Sequence, residues 1–195
     1  MKNIFFLIDV NSAYLSWEAA YHLQHGGKVD YRKIPSIVGG DPTKRKGIVL
    51  AKSIPAKRYN IKTGESISEA LRKCPNLKIV SPSYTKYMKA SKALVEILKE
   101  YSPKVQRFSI DECFLEYIVN KHSNINPIEV AYEIKQRVKN ELGFTVNIGV
   151  STNKLLAKMA SDLKKPDMVH TLFKSEIKNK MWPLKVDKLF MVGKA

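Results

Sequence analysis

Acidic residues are scarce in this chain. Its 195 residues hold 18 Asp and Glu against 34 Lys and Arg, a formal net charge of +16. Acids set in apolar surroundings therefore stand out. Asp9 ends the run Ile4-Phe5-Phe6-Leu7-Ile8, and Asp111-Glu112 lies between two apolar stretches, 105–109 and 114–118. Carboxylates gathered in one place repel one another unless a cation sits between them. Two Mg²⁺ ions about 4 Å apart, held by such carboxylates, form a clamp for in-line phosphoryl transfer. Mg²⁺ suits one or two carboxylates together with substrate phosphates. In that chemistry Asp9 and Asp111 bridge both ions and Glu112 serves one of them. The spacing fits a tight hairpin turn with two solvated acids equally well, because Asp is a turn residue. Adjacent side chains on a regular strand point to opposite faces. Asp111 and Glu112 can share a site only at a turn or bulge.

The elements that must bring these acids together follow from periodicity. Residues 3–8 read as a strand buried on both faces. Asn11 or Ser12 can cap a helix running to Gln24, which Gly26-Gly27 stops. Strands at 36–38 and 48–51 flank a polar turn at 41–47 and make a hairpin. Short helices are expected at 56–60 and 66–73, and a strand at 77–80. Helical spacing of Tyr87/Met88, Ser91, Leu94/Val95 and Leu98 marks a helix over 84–101. Strands at 105–109 and 114–118 follow. A helix then starts at Pro127, with proline at the favoured first position, and closes at Gly143. Val146, Ile148 and Val150 alternate with Thr145, Asn147 and Gly149 in a strand over 145–150. A helix over 153–164, stopped by Pro166, and a strand over 169–172 complete the pattern. With 12–82 set aside, the order is strand, helix, strand, strand, helix, strand. That is the ferredoxin-like βαββαβ arrangement of an α+β fold. Its first and third strands are central neighbours, so Asp9 can meet Asp111 and Glu112. The tail from 173 to 195 is basic and weakly patterned.

Composition narrows the classes. Hydrophobic residues make up 44% and charged residues 27%, the mix of a globular protein rather than a disordered one. No apolar run approaches the roughly 18 residues of a membrane span. Asp9 interrupts the N-terminal apolar run before a signal-peptide core can form. Cys74 and Cys113 are too few for a disulfide framework and read as small buried apolar residues in a reducing cytosol. The charge is the footprint of a polyanion binder, weighed against a merely solvated lysine-rich surface.

Four blocks in order give the chain a family likeness. They are Ile8-Asp9-Val10-Asn11-Ser12-Ala13-Tyr14, Ser109-Ile110-Asp111-Glu112-Cys113, Gly149-Val150-Ser151-Thr152-Asn153-Lys154-Leu155-Leu156-Ala157-Lys158, and Ala160-Ser161-Asp162-Leu163-Lys164-Lys165-Pro166. Together they resemble the Y-family translesion DNA polymerases of the DinB/UmuC group, along essentially the whole chain. The resemblance implies a palm from 1–11 and 83–172, fingers at 12–82 and the beginning of a helical thumb at 173–195. Phe190-Met191-Val192-Gly193-Lys194 is similar to the first turn of that thumb's helix-hairpin-helix. The family's little finger is absent, so the resemblance makes this an N-terminal catalytic portion.

The family also implies roles. Asp9, Asp111 and Glu112 match the metal-binding and catalytic acids, Glu112 on the metal at the primer end. Val10 matches a position whose carbonyl ligates the nucleotide-side metal. Two Mg²⁺ are implied, with Mn²⁺ able to substitute. Tyr14 matches the steric gate against a ribose 2′-OH; the plain alternative is an aromatic that only packs. Ser12 and Ala13 stand where bulkier side chains would press on the nascent pair. Lys165 matches a triphosphate contact. Ile54 and Lys57 stand where many members have Tyr and Arg, so the triphosphate grip is expected to rest on Lys57, Arg58 and Lys165 together. Lys cannot make the bidentate fork of Arg. Implied partners are primer-template DNA, a dNTP and a sliding clamp reached through a C-terminal segment, with no membrane and a cytoplasmic location. The implied activity is DNA-directed synthesis across damage, without proofreading. Two other readings share the fold: a nucleotide cyclase on the same palm, and a non-catalytic ferredoxin-like nucleic-acid-binding module. The cyclase gives no reason for the charge or the gate. The module needs aromatics, not acids, on its central strands.

Overall fold

The computed structural model describes residues 2–40, 47–119 and 125–193. The strands are β1 (Lys2–Val10), β2 (Ser36–Gly39), β3 (Val49–Lys52), β4 (Lys78–Val80), β5 (Val105–Arg107), β6 (Glu112–Val119), β7 (Val146–Ser151) and β8 (Val169–Thr171). The α-helices are α1 (Ala13–Gln24), α2 (Ile54–Lys57), α3 (Ile67–Lys73), α4 (Tyr84–Tyr101), α5 (Pro127–Arg137), α6 (Lys154–Asp162) and α7 (Ile177–Lys180). The chain divides into two compact units, 1–11 with 91–195, and 12–90.

In the first unit a five-stranded sheet has the order β5-β6-β1-β7-β8. β1 pairs antiparallel with both β6 and β7, and β8 joins β7 in parallel. Leaving out 12–90, the sequence β1-α4-β5-β6-α5-β7 on this order is the expected ferredoxin-like arrangement, extended by α6 and β8. β1 lies at the centre of the sheet, and its Phe6, Leu7 and Ile8 are fully buried. β7 departs from its own alternation, since all six of its residues are buried. The reason is Gly149. A Cβ there would lie 1.9 Å from the Ala157 carbonyl oxygen and 2.5 Å from the Ser161 nitrogen. Helix α6 therefore rests directly on the backbone of β7. Gly149→Ala forces α6 off the sheet, and overpacking of this kind costs about 3 kcal/mol. Thermal unfolding of the variant is expected to show a midpoint lower by roughly 6–12 °C, at about 2–4 °C per kcal/mol for a chain of this size. On the outer side of α6, Leu156, Met159 and Ala160 form a cluster with Leu172, and Ile177, Met181, Leu184, Leu189 and Phe190 of the tail pack against it. The weakly patterned tail is thus held by α6.

The second unit has a three-stranded sheet, β3-β2-β4, over a core of Ile37, Val49, Ala56, Ile61, Ile67, Ala70, Cys74 and Leu77. β2 and β3 form the expected hairpin; its turn at 41–46 lies outside the described residues. α2 begins earlier than the expected 56–60 because the Ser53 hydroxyl accepts from the Ala56 amide (3.0 Å) and Pro55 fits the first turn. It ends at Lys57, and the turn that follows closes at Asn60, whose φ is 55. The cap expected for α1 is not made by a side chain. Ser12 stands at the N-cap in a left-handed conformation with no side-chain cap bond, and Asn11 spends its amide elsewhere. The boundary between the two compact units falls at 90/91, inside α4. The first turns of α4 carry Tyr84 and Tyr87, which join an aromatic cluster with Tyr14 and Trp17 of the same unit.

Candidate active site

Register places the acids. Asp9 of β1 is the direct partner of Glu112 on β6 and of Asn147 on β7. Directly opposed side chains share a face of the sheet. Glu112, Asp9 and Asn147 therefore form a polar row beside the apolar row Phe114, Leu7 and Gly149. Asp111 is not on a strand. It ends the β5–β6 turn, which the Phe108 amide closes by donating to the Glu112 carbonyl (2.9 Å), and its own carbonyl accepts from the Val10 amide (3.1 Å). The turn meets the condition for two adjacent acids to face one place. The Ser109 hydroxyl lies 2.7 Å from Asp111 Oδ1 and 3.2 Å from Glu112 Oε2.

Two lysines enter this cluster from the α6 side. Lys158 Nζ donates to Glu112 Oε1 (2.5 Å) and lies 3.5 Å from Asp9 Oδ2 and 3.1 Å from Asp162 Oδ2. Lys165 Nζ lies 2.6 Å from Asp9 Oδ2 and 2.9 Å from Asp162 Oδ1. Asp9 and Lys158 are both buried. Burial pushes the Asp9 carboxyl up, and the ammonium groups of Lys165 and Lys158 pull it only part of the way back. Burial would lower Lys158, but the Glu112 hydrogen bond and the charges of Asp9 and Asp162 outweigh it and hold the ammonium above its ordinary value. Lys165 is raised in the same way by Asp9 and Asp162. Cys113, next to Glu112, is no nucleophile: burial pushes its thiol up to about 11.

Asn147 is fully buried and uses all four of its amide positions. Its Nδ2 donates to the Ser161 carbonyl (3.0 Å) and the Lys164 carbonyl (2.6 Å); its Oδ1 accepts from Asn11 Nδ2 (3.1 Å) and the Met168 amide (3.3 Å). Asn11 Oδ1 accepts from Thr145 Oγ1 (3.0 Å) and the Asp167 amide (2.9 Å). This network fixes the segment after α6 on which Lys165 stands.

Asp9, Val10, Asp111, Glu112 and Lys165 thus come together in the first unit. Among the described residues no three His, Cys, Asp or Glu lie close enough to enclose a metal ion; Lys158 sits between Asp9 and Glu112. The donors nonetheless suit Mg²⁺ chemically, being hard carboxylate oxygens. Ser12, Ala13, Tyr14, Lys57 and Arg58 belong to the second unit. Ser12, Lys57 and Arg58 are exposed, and Ala13 is buried. Tyr14 is half-buried, stacked on Tyr87 with ring centroids 4.8 Å apart. The sequence reading assigned no site role to Ser109, Asn147, Lys158 or Asp162. The signal for Lys158 was its (i, i+4) spacing to Asp162 on α6, with Lys165 three residues further on.

The family model for the impB/mucB/samB family matches residues 8–162. A DNA polymerase IV from Clostridium acetobutylicum is 53% identical over 195 residues, which cover all of this chain and 49% of that protein. The chain therefore spans about half the length of this curated relative. Among solved structures, DinB from Sulfolobus solfataricus superposes with a TM-score of 0.85 at 26% identity, over 98% of this chain and 54% of that one. A Dbh ternary complex superposes with a TM-score of 0.82 at 26% identity, over 98% and 54%. These likenesses agree with the four sequence blocks, and the chain belongs to the impB/mucB/samB family.

Proposed function

We propose that this chain carries the catalytic machinery of a translesion DNA-directed DNA polymerase, which adds dNTPs to a primer 3′-OH. The observation that carries the reading is the set of acids on two adjacent central strands and the turn before one of them, next to lysines that suit a triphosphate. Asp9, Asp111, Glu112 and the Val10 carbonyl would hold two Mg²⁺, with Mn²⁺ able to substitute. Such ions acidify the attacking hydroxyl and neutralise charge on the triphosphate. The chain's own residues do the rest by positioning. Lys165 turns from Asp9 and Asp162 to the phosphates, and Asn147 and Asn11 hold its segment still. Lys57 and Arg58 add to the triphosphate grip. Small residues at Ser12 and Ala13 leave the nascent pair loosely held, and shape contacts supply only about 1–3 kcal/mol of discrimination each. In the roles we assign, 1–11 and 83–172 act as palm, 12–82 as fingers and 173–195 as the beginning of the thumb. Primer-template DNA is the partner that the +16 charge suits, and a sliding clamp is assigned to a further C-terminal segment.

The test is primer extension by the full-length protein with Mg²⁺ and a templated dNTP. Template-dependent addition supports the reading. Production of a cyclic nucleotide, or binding to nucleic acid with no synthesis, overturns it. The gate is tested separately. Tyr14→Ala is expected to admit ribonucleotides, raising the ratio of rNTP to dNTP insertion opposite an undamaged template by at least about 10-fold, the low end of what one shape contact supplies. An unchanged ratio makes Tyr14 a packing residue of the aromatic cluster.

A further inference from the structure

A buried lysine between two acids proposed as metal ligands needs its own explanation. Lys158 is only 8% exposed, an ammonium held under the sheet face by α6. Its Nζ reaches Glu112, Asp162 and Asp9, which no other side chain among the described residues does. Lys165 meets the same Asp9 oxygen and shares Asp162, but no ion pair joins it to Glu112. The cation that joins β6 to β1 at the polar row is therefore Lys158.

We propose that Lys158 is a built-in counter-ion of the acid row: it holds Asp9 and Glu112 together before any metal arrives, and it competes with the divalent ion for both. Without it, Glu112 would face Asp9 across the ladder with the Ser109 hydroxyl on Glu112, Lys165 on Asp9, and no cation shared between the two acids. Like charges directly opposed across strands are destabilising. A divalent ion bringing its charge to the same oxygens must displace the ammonium, and that displacement weakens its binding. The advantage is a site that is assembled in advance, so that ligand binding does not also have to fold the row. Lys158 acts through the two acids and is thus a positioning residue. The competing half of the inference rests on the metal reading given above; the stabilising half does not.

The experiment uses the full-length protein, its Lys158→Met variant, which keeps the length without the charge, and Lys158→Arg, which keeps the charge. Mn²⁺ binding is followed by the loss of free-ion electron paramagnetic resonance signal, and stability by thermal unfolding with chelator or with Mn²⁺. In chelator the Met variant is expected to melt several degrees below wild type and the Arg variant close to it. The Met variant is expected to bind Mn²⁺ at least tenfold more tightly than wild type, and to gain more in melting temperature from the ion. Equal Mn²⁺ affinity in wild type and the Met variant overturns the competition. Equal melting in chelator overturns the counter-ion role. Failure of the metal reading looks different: neither protein removes Mn²⁺ signal at millimolar ion, and the competition falls with it.

Discussion

On the proposed polymerase reading, Asp9→Asn is expected to lower single-nucleotide insertion by at least about 10³-fold and to leave the fold in place. Asp9 joins the two halves of the acid cluster, standing opposite Glu112 and accepting from Lys165 at 2.6 Å. The amide cannot supply the negative charge that a divalent ion requires, and a bound ion is worth several kcal/mol of transition-state stabilisation. At one factor of ten per 1.36 kcal/mol, about 4 kcal/mol gives the stated loss. Stability changes much less. Removing one partner of a buried ion pair costs about 3–5 kcal/mol when the other charge is stranded. Here neither lysine is stranded: Lys158 keeps Glu112 and Asp162, and Lys165 keeps Asp162 with its side chain 37% exposed. The measurement pairs single-turnover insertion with thermal unfolding. A variant that still inserts within tenfold of wild type removes Asp9 from the chemistry.

Asn147→Ala has the opposite signature, with stability lost first and activity following it. The substitution takes a partner from the Ser161 and Lys164 carbonyls, the Met168 amide and the Asn11 side-chain amide; the Lys164 carbonyl keeps His170 Nε2 at 3.2 Å. Each unsatisfied buried group costs about 1–3 kcal/mol. Counting only the Ser161 carbonyl and the Met168 amide, the low end is about 2 kcal/mol, which lowers the melting midpoint by roughly 4–8 °C. The segment after α6 also loses its anchor, so Lys165 is no longer held. Where the variant remains folded at low temperature, the KM for the dNTP is expected to rise more than kcat falls. Asn147→Asp discriminates further. It keeps the shape but turns a second oxygen toward the Ser161 and Lys164 carbonyls, and it should be no more stable than Ala. A variant with wild-type melting would mean that the buried network is not what holds this segment.

Much of this arrangement was legible in the sequence where a signal is local. The helix over 84–101 came out at its observed bounds because apolar spacing and the tight following turn agree. The strand order followed from the alternation of strands and helices once 12–82 was set aside, since the βαββαβ pattern allows few sheets. That Asp111 and Glu112 could act together depended on a turn, and the turn is there. What the sequence did not show is what depends on contacts distant along the chain. Lys158 meets Glu112 from 46 positions away and Asp9 from 149 away, and its type reads as a solvated helix charge. Asn147 read as the polar side of an alternating strand, yet it is fully buried, because Gly149 lets α6 down onto that side. The α1 cap failed for a related reason: Asn11 bonds Asn147 and Thr145, more than 130 positions on.

The central place of β1 also sets a timetable for synthesis. Its neighbours β6 and β7 are made only when the chain has reached Val119 and Ser151. At about 5–20 residues per second, the ribosome takes on the order of 5–22 s to cover the roughly 110 residues from the end of β1 to the end of β6, and about 2–6 s more to reach the end of β7. Until β6 is made, Ile4-Phe5-Phe6-Leu7-Ile8 lacks both partner strands of its sheet, while the contiguous 12–90 unit can close on itself. This apolar strand thus waits for both of its neighbours, which makes it a point where chaperone capture or aggregation would compete with folding.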